Sequence, residues 1–199
     1  VTALAAKGYG AAGIADRGNL YGLHGFLSAC RERGVKPLVG AELDGLLLLA
    51  RDMSGFSNLS SLITAYRLGE GDLATLVAAH AEGLHVITNH GPTLAELKGR
   101  VPSLYRRVCT SRDIVRDGIA PVVAPPLLCL APDDLPVQRL LRAIAAKRTV
   151  AEVPKRPTEG FTLAEYEEQT ARLDALCPEG ATNRAAIAAS CSIEKIDHG

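Results

Sequence analysis

The sequence predicts an α/β fold in which parallel strands alternate with helices. Three features predict it: five or six short apolar runs, helix-like segments between them, and glycines where those segments should end. Because parallel strands joined through helices need right-handed crossovers, we expect an open doubly wound sheet or an incomplete barrel. The length of 199 residues suits a single domain with a substantial core.

The elements follow in chain order from the apolar runs and the glycines after them. Strands are predicted at residues 11–15, 37–41, 46–51, 84–88 and 121–124. Helices are predicted at residues 2–7, 20–33, 55–68, 72–82, 133–147 and 182–191. Two Thr-x-x-Glu capping boxes, Thr93–Glu96 and Thr162–Glu165, predict two more helix starts. Residues 155–160 are the best linker candidate, leading to a C-terminal helical pair at residues 161–199 of the same domain.

The composition excludes several classes of protein. Lysine plus arginine and aspartate plus glutamate each number 22, so the zero net charge gives no support for a dedicated nucleic-acid binder. The five cysteines are odd in number and lack C-x-x-C spacing, which favours buried free thiols over disulfides or a zinc site. No apolar run is long enough to span a membrane, so we expect a cytoplasmic protein without membrane contact.

Polar side chains follow the predicted strands at the end where α/β proteins usually place their sites. Asp16 and Arg17 follow the first strand, Glu42 the second, and His90 the strand at residues 84–88. Aspartate, glutamate and histidine on one rim are plausible metal ligands. The same residue types also form turns and helix caps, so the spacing alone leaves both explanations open.

Residues 13–22, G-I-A-D-R-G-N-L-Y-G, and residues 34–42, G-V-K-P-L-V-G-A-E, resemble a known family. They are similar to the polymerase-and-histidinol-phosphatase (PHP) domain, specifically that of bacterial DNA polymerase III alpha subunits. Its patterns there are T-D-H-G-N-L-[FY]-G and G-[IV]-K-P-[IL]-[IV]-G-x-E. Residues 47–59 and 185–193 extend the likeness over nearly the whole chain. The resemblance implies a PHP-type distorted, incomplete (β/α) barrel, similar to a TIM barrel, forming a single PHP-like domain over residues 1–199.

The resemblance implies that metal ligands are retained only at Asp16, Glu42 and His90, as a vestigial set. The family's H-x-H motif has no counterpart, so its strand was lost or lies before Val1. The histidine after the family's aspartate is replaced by Arg17, which has a fixed positive charge and no lone pair.

Two further ligand motifs of the family have also changed. The histidine before the third strand falls at about Gly45, and the late aspartate and histidine become Pro126 and Leu128. We therefore expect no catalytic residues and no cofactor, and we expect Arg17 to pair with Asp16 or Glu42.

Three functions follow from this comparison. The first is a non-catalytic PHP-like domain with a structural or protein-interaction role in DNA replication or repair, whose partner is a DNA polymerase or a replication or repair protein. The second is a metal-dependent phosphoesterase or 3′–5′ exonuclease that uses Zn or Mn on the reduced ligand set. The third is a phosphate-binding or DNA-end-binding module anchored by Arg17.

Two other patterns are assigned to ordinary structural roles. His80, His85 and His90 are five residues apart, a spacing that places them on different faces of a helix, so we expect no tri-histidine site. A basic stretch is predicted to form a solvated face; it comprises Lys98, Arg100, Arg106, Arg107, Arg112 and Arg116.

Overall fold

A curved six-stranded sheet forms the centre of the computed structural model, which describes residues 1–155 and 160–196. Its strands, in both spatial and chain order, are β1 (Ala11–Arg17), β2 (Lys36–Leu43), β3 (Leu46–Ala50), β4 (Leu84–Thr88), β5 (Leu104–Val108) and β6 (Pro121–Val123). A small second sheet pairs β7 (Leu127–Cys129) with β8 (Phe161–Thr162). The large sheet curls into a half-barrel, which confirms the predicted α/β class and incomplete barrel.

Helices connect and cover these strands. They are α1 (Thr2–Ala6), α2 (Leu23–Arg33), α3 (Met53–Leu68), α4 (Leu73–His80), α5 (Gly91–Leu97), α6 (Leu135–Ala146), α7 (Leu163–Leu176) and α8 (Pro178–Ser190). Gly34 and Gly69 end α2 and α3 in the left-handed conformation, as the sequence predicted. None of the helices within residues 1–155 and 160–196 is long and apolar enough to cross a membrane.

One strand departs from the expected parallel arrangement. β1 and β2 are parallel, as are β4, β5 and β6, but β3 runs antiparallel to both of its neighbours. The reason is the two-residue link Asp44-Gly45, whose φ angles of 43° and 82° are both positive. Such a link forms a tight hairpin and is far too short for the crossover that parallel strands require.

The predicted basic stretch contains a strand. Its Leu-Tyr-Arg-Arg-Val portion is β5, an interior strand that was not predicted from the sequence. Arg106 is only 8% exposed and pairs with Asp117, which lowers the pKa of that carboxyl group. The prediction of a solvated face is therefore wrong for the arginines of β5, because a central strand buries both of its faces.

The two capping boxes have different outcomes. At Thr162, the Glu165 carboxylate accepts hydrogen bonds from the threonine N–H and hydroxyl, both at 3.0 Å, and α7 follows as predicted. The prediction at Thr93 is wrong, because α5 already begins at Gly91 with His90 as its N-cap residue. The predicted linker lies largely outside the described residues, and the predicted domain extent stays a prediction.

The main core lies between the sheet and the α2, α3 and α4 side. Fully buried leucines and valines fill it, including Leu43, Leu48, Leu59, Leu62 and Val77. Burying each such side chain contributes roughly 1.5–3 kcal/mol. All five cysteines are free thiols and four of them are buried, in agreement with the sequence prediction.

His85 on β4 joins the sheet to the end of α8. Its Nδ1 lies 2.7 Å from the Ser103 hydroxyl oxygen, and its Nε2 lies 2.7 Å from the Ser190 hydroxyl oxygen. These contacts satisfy both ring nitrogens of a neutral imidazole. Burial, assisted by the charge of Arg51, lowers the pKa of His85 to about 4.

Acid should therefore destabilise the protein through His85. An unfolded histidine has a pKa of about 6.5, so the unfolded chain binds the proton first as the pH falls. The free energy of unfolding should decrease by up to about 3 kcal/mol between pH ~6.5 and ~4, and the contribution is fully present above that range. Urea unfolding followed by circular dichroism at a series of pH values measures this loss. His85→Gln should remove that part of the pH dependence, whereas exposed His24→Gln should retain it; an unchanged profile in His85→Gln would contradict the assignment.

Candidate functional site

A cleft of about 440 Å³ opens at the edge of the sheet where β1 and β2 end. It is lined by Arg17, Gly18, Glu42, Leu43, Asp44, Gly45 and Tyr66. Because β3 is antiparallel, its first residue lies at this same edge beside the carboxyl ends of β2 and β4. The cleft therefore occupies the position expected for a functional site in a barrel of this class.

Glu42 lies between two arginines. Arg17 Nε lies 3.6 Å from one carboxylate oxygen, and Arg107 Nη1 lies 3.5 Å from the other. Arg17 is brought there by the parallel pairing of β1 with β2, in which it is the direct partner of Glu42. Arg107 reaches across from β5, and its Nε donates to the Ala124 carbonyl oxygen at 2.9 Å. The Arg17 side chain is 69% exposed and the Arg107 side chain only 12%, so Arg107 is the more desolvated of the two.

This charge arrangement does not fit a divalent metal at Glu42. A guanidinium group keeps its positive charge at any relevant pH and has no lone pair to offer a cation. A cation approaching the Glu42 carboxylate would meet two positive charges that already neutralise it. Arg17 pairs with Glu42, one of its two predicted partners, and Arg107 adds a second pair that the sequence did not indicate.

Asp16 holds the start of α2. Its Oδ2 accepts a hydrogen bond from the Gly22 N–H at 2.8 Å. The intervening loop is closed by Asn19, which donates to the Arg17 carbonyl at 2.9 Å and accepts from the Tyr21 N–H at 3.0 Å. The D-R-G-N sequence therefore forms a turn and a helix entry, and one oxygen of Asp16 is occupied by that role.

The turn Asp44-Gly45 forms another wall of the cleft. The Tyr66 hydroxyl donates to Asp44 Oδ2 at 2.7 Å, and this bond raises the pKa of Tyr66. Gly45, matched above to a family histidine, has a φ of 82°, a conformation that is strained for a residue with a side chain. The backbone of the turn is thus adapted to glycine and is unsuited to histidine.

His90 lies just beyond β4 on the same edge of the sheet. Its N–H donates to the Thr88 hydroxyl at 3.2 Å, and Thr88 in turn donates to the Gly45 carbonyl at 3.1 Å. The His90 ring turns toward α5, with Nδ1 lying 2.8 Å from the Thr93 hydroxyl oxygen. Asp16, Glu42 and His90 therefore share an edge, while each side chain contacts a different partner.

Within residues 1–155 and 160–196, no three His, Cys, Asp or Glu side chains form a group that could hold a metal ion. The Pro126 carbonyl accepts a hydrogen bond from the Phe161 N–H at 3.0 Å, and Leu128 lies within β7. Pro126 and Leu128 thus contribute to the small sheet. The ligand role of Asp16, Glu42 and His90 stays a prediction.

The sequence pattern assigned Arg107 to a solvated face and did not indicate its contact with Glu42. The available signal was Tyr105 and Val108, two β-forming residues that flank the arginines and predict a strand more strongly than the arginines predict a solvated face.

The two arginines should differ in their effect on stability. Arg107→Met removes a partly buried ion pair and a bond to a carbonyl, so the free energy of unfolding should fall by about 1–3 kcal/mol. The same change at exposed Arg17 should cost less than about 1 kcal/mol. Chemical denaturation of both variants at neutral pH makes this comparison, with each variant serving as the matched control for the other. Equal losses in the free energy of unfolding would show that burial does not distinguish the Arg107–Glu42 pair from the Arg17–Glu42 pair.

Comparisons with known proteins identify the family of this chain. A family model described as the PHP domain matches residues 1–121. DNA polymerase III subunit alpha of Streptococcus pyogenes is 27% identical over 190 residues, covering 88% of this chain and 18% of that protein. The Vibrio cholerae subunit is 40% identical over 106 residues, covering 44% of this chain and 9% of that protein. This chain spans about a fifth of the length of its first such relatives. The chain belongs to the PHP domain family.

Proposed function

We propose that this chain is a non-catalytic PHP domain with a structural or protein-interaction role in DNA replication. The replication context comes from its relatives, which are named DNA polymerase III subunit alpha. The proposed partner is a DNA polymerase or another replication protein. The observation that carries the non-catalytic role is the Glu42 carboxylate held between Arg17 and Arg107.

The physical reason is that arginine side chains supply the positive charge that a metal ion supplies in a phosphoesterase. A metal-dependent phosphoesterase uses its cation to generate a nucleophile and to stabilise charge on the phosphoryl group. At Glu42 the positive charge comes instead from guanidinium groups, which cannot bind and activate water as a Lewis acid does. Their contacts join β1, β2 and β5, which is the effect expected of a structural ion-pair network.

Metal content distinguishes this proposal from a metal-dependent phosphoesterase or exonuclease. The purified chain, equilibrated with Zn or Mn and then desalted, should retain much less than one ion per chain by elemental analysis. It should also show no chelator-sensitive hydrolysis of a generic phosphodiester. Two or three tightly held ions per chain would overturn the proposal.

Glu42→Gln provides the matched control. If Glu42 serves only the ion pairs, this change should lower the free energy of unfolding and leave the metal content unchanged. If Glu42 is a ligand, the same change should lower the metal content, and Asp16→Asn should act in the same way.

A second candidate function is binding of a phosphate group or a DNA end at the cleft. The supporting observation is the exposed Arg17 guanidinium at the mouth of the 440 Å³ cleft. Guanidinium groups bind phosphate in a bidentate fashion, and an exposed one can do so without burying charge.

Oligonucleotide binding tests this second function. If Arg17 is a phosphate anchor, the chain should bind a 5′-phosphorylated, fluorescently labelled single strand, measured by anisotropy at low salt. Arg17→Ala should then weaken the binding by about tenfold. Arg33→Ala, which removes a similar charge at the end of α2, should have a much smaller effect. Absence of binding by the unmodified chain would end this candidate.

A further inference from the structure

Helix α6 carries an apolar stripe that faces outward. Val137, Leu140, Leu141 and Ile144 are spaced as i, i+3, i+4 and i+7, which places them on one face of the helix. Each is between 48% and 64% exposed. Four large apolar residues in one contiguous row are more than the scattered exposure usual on a protein surface.

The inward face of the same helix is mainly polar. Gln138 donates to the Leu128 carbonyl at 3.4 Å, Arg139 to the Val153 carbonyl at 2.9 Å, and Arg142 to the Pro154 carbonyl at 3.0 Å. Only Ala143 is fully buried on this side. The usual amphipathic arrangement is thus inverted: polar side chains hold α6 on the domain and its apolar side chains lie in water.

This inversion is costly unless something covers the stripe. Burying a leucine, isoleucine or valine side chain fully is worth roughly 1.5–3 kcal/mol. The contacts of Arg139 and Arg142 instead fix the helix with its apolar face outward. The orientation is therefore that of a helix whose second partner lies outside the domain.

Charges at the two ends of α6 indicate which partner fits. Asp133 and Asp134 precede the helix, and Lys147 and Arg148 follow it, all of them exposed. Asp134 is the N-cap residue of α6, and Lys147 is its C-cap residue in the left-handed conformation. A helix of 12 residues is about 18 Å long, so the acidic and basic ends are well separated.

We propose that the α6 stripe binds a second copy of this chain, with the two α6 helices antiparallel about a two-fold axis. In that arrangement the apolar stripe of one copy packs against the apolar stripe of the other. The acidic end of each helix lies beside the basic end of its partner helix. A parallel arrangement would bring like charges together. Because one helix face is smaller than the roughly 800 Å² per partner of a standard interface, the dimer should dissociate on dilution. This inference is independent of the proposed function.

Sedimentation velocity of the 199-residue chain, from low micromolar to near-millimolar concentration, tests the proposal. We expect a monomer–dimer equilibrium that Leu141→Glu and Ile144→Glu each weaken by at least about tenfold. Leu68→Glu, the same kind of change at an exposed leucine that ends α3, should leave the equilibrium unchanged. Circular dichroism verifies that each variant is folded.

A charge exchange tests the antiparallel arrangement. Asp133→Lys and Arg148→Glu should each weaken the dimer several-fold, and the double variant should recover most of the loss, because each pairs with the other across the two-fold axis. A monomer at every concentration would overturn the proposal, as would a dimer that is insensitive to Ile144→Glu. A dimer in which the double variant is weaker than both single variants would overturn the antiparallel pairing.

Discussion

The two-residue turn Asp44-Gly45 is the constraint on which the arrangement of the sheet depends. It reverses the chain directly after β2, so β3 returns antiparallel and β4 pairs with β3 instead of with β2. The turn is possible because both residues adopt positive φ angles, which glycine accepts freely and aspartate tolerates. It also lies on the rim of the cleft, where the Asp44 carboxylate binds Tyr66 and the Gly45 carbonyl binds Thr88. The same two residues thus set the order of the strands and shape one wall of the candidate site.

The positions of the charged side chains at the cleft follow from the pairing and curvature of this sheet. The parallel pairing of β1 and β2 places Arg17 beside Glu42, and the curvature of the sheet brings Arg107 of β5 to the other side of the same carboxylate. Three strands are therefore joined at one point by opposite charges. Arg107 is partly buried, and this makes it the more important partner of Glu42. An ion pair removed from water is screened less by salt and is harder to replace. The ion pairs at Glu42 therefore stabilise the sheet, whichever function the cleft serves.

The surface of α6 presents a different problem of packing. Helix α6 is attached through arginine side chains and backbone carbonyls, while its apolar residues point away from the domain. Within one domain this arrangement leaves favourable burial unused; between two molecules it supplies a binding surface. The cleft and the α6 stripe differ in composition, the first being polar and charged and the second apolar with charged ends. They are therefore suited to different kinds of contact.

The sequence by itself determined the fold class, the family and most helices and strands, because apolar periodicity and helix-ending glycines such as Gly34 and Gly69 act locally. The resemblance to the family also led to the prediction that Arg17 pairs with Asp16 or Glu42, and the structure contains the pair with Glu42. The tertiary structure alone decided the direction of β3, the burial of Arg106 and Arg107, and the outward face of α6. Each of these depends on which elements become neighbours: an arginine-rich segment is a surface when alone and an interior strand when flanked by β4 and β6. Similarly, the amphipathic pattern of α6 shows that one face is apolar, and only the packed chain shows that this face is left uncovered.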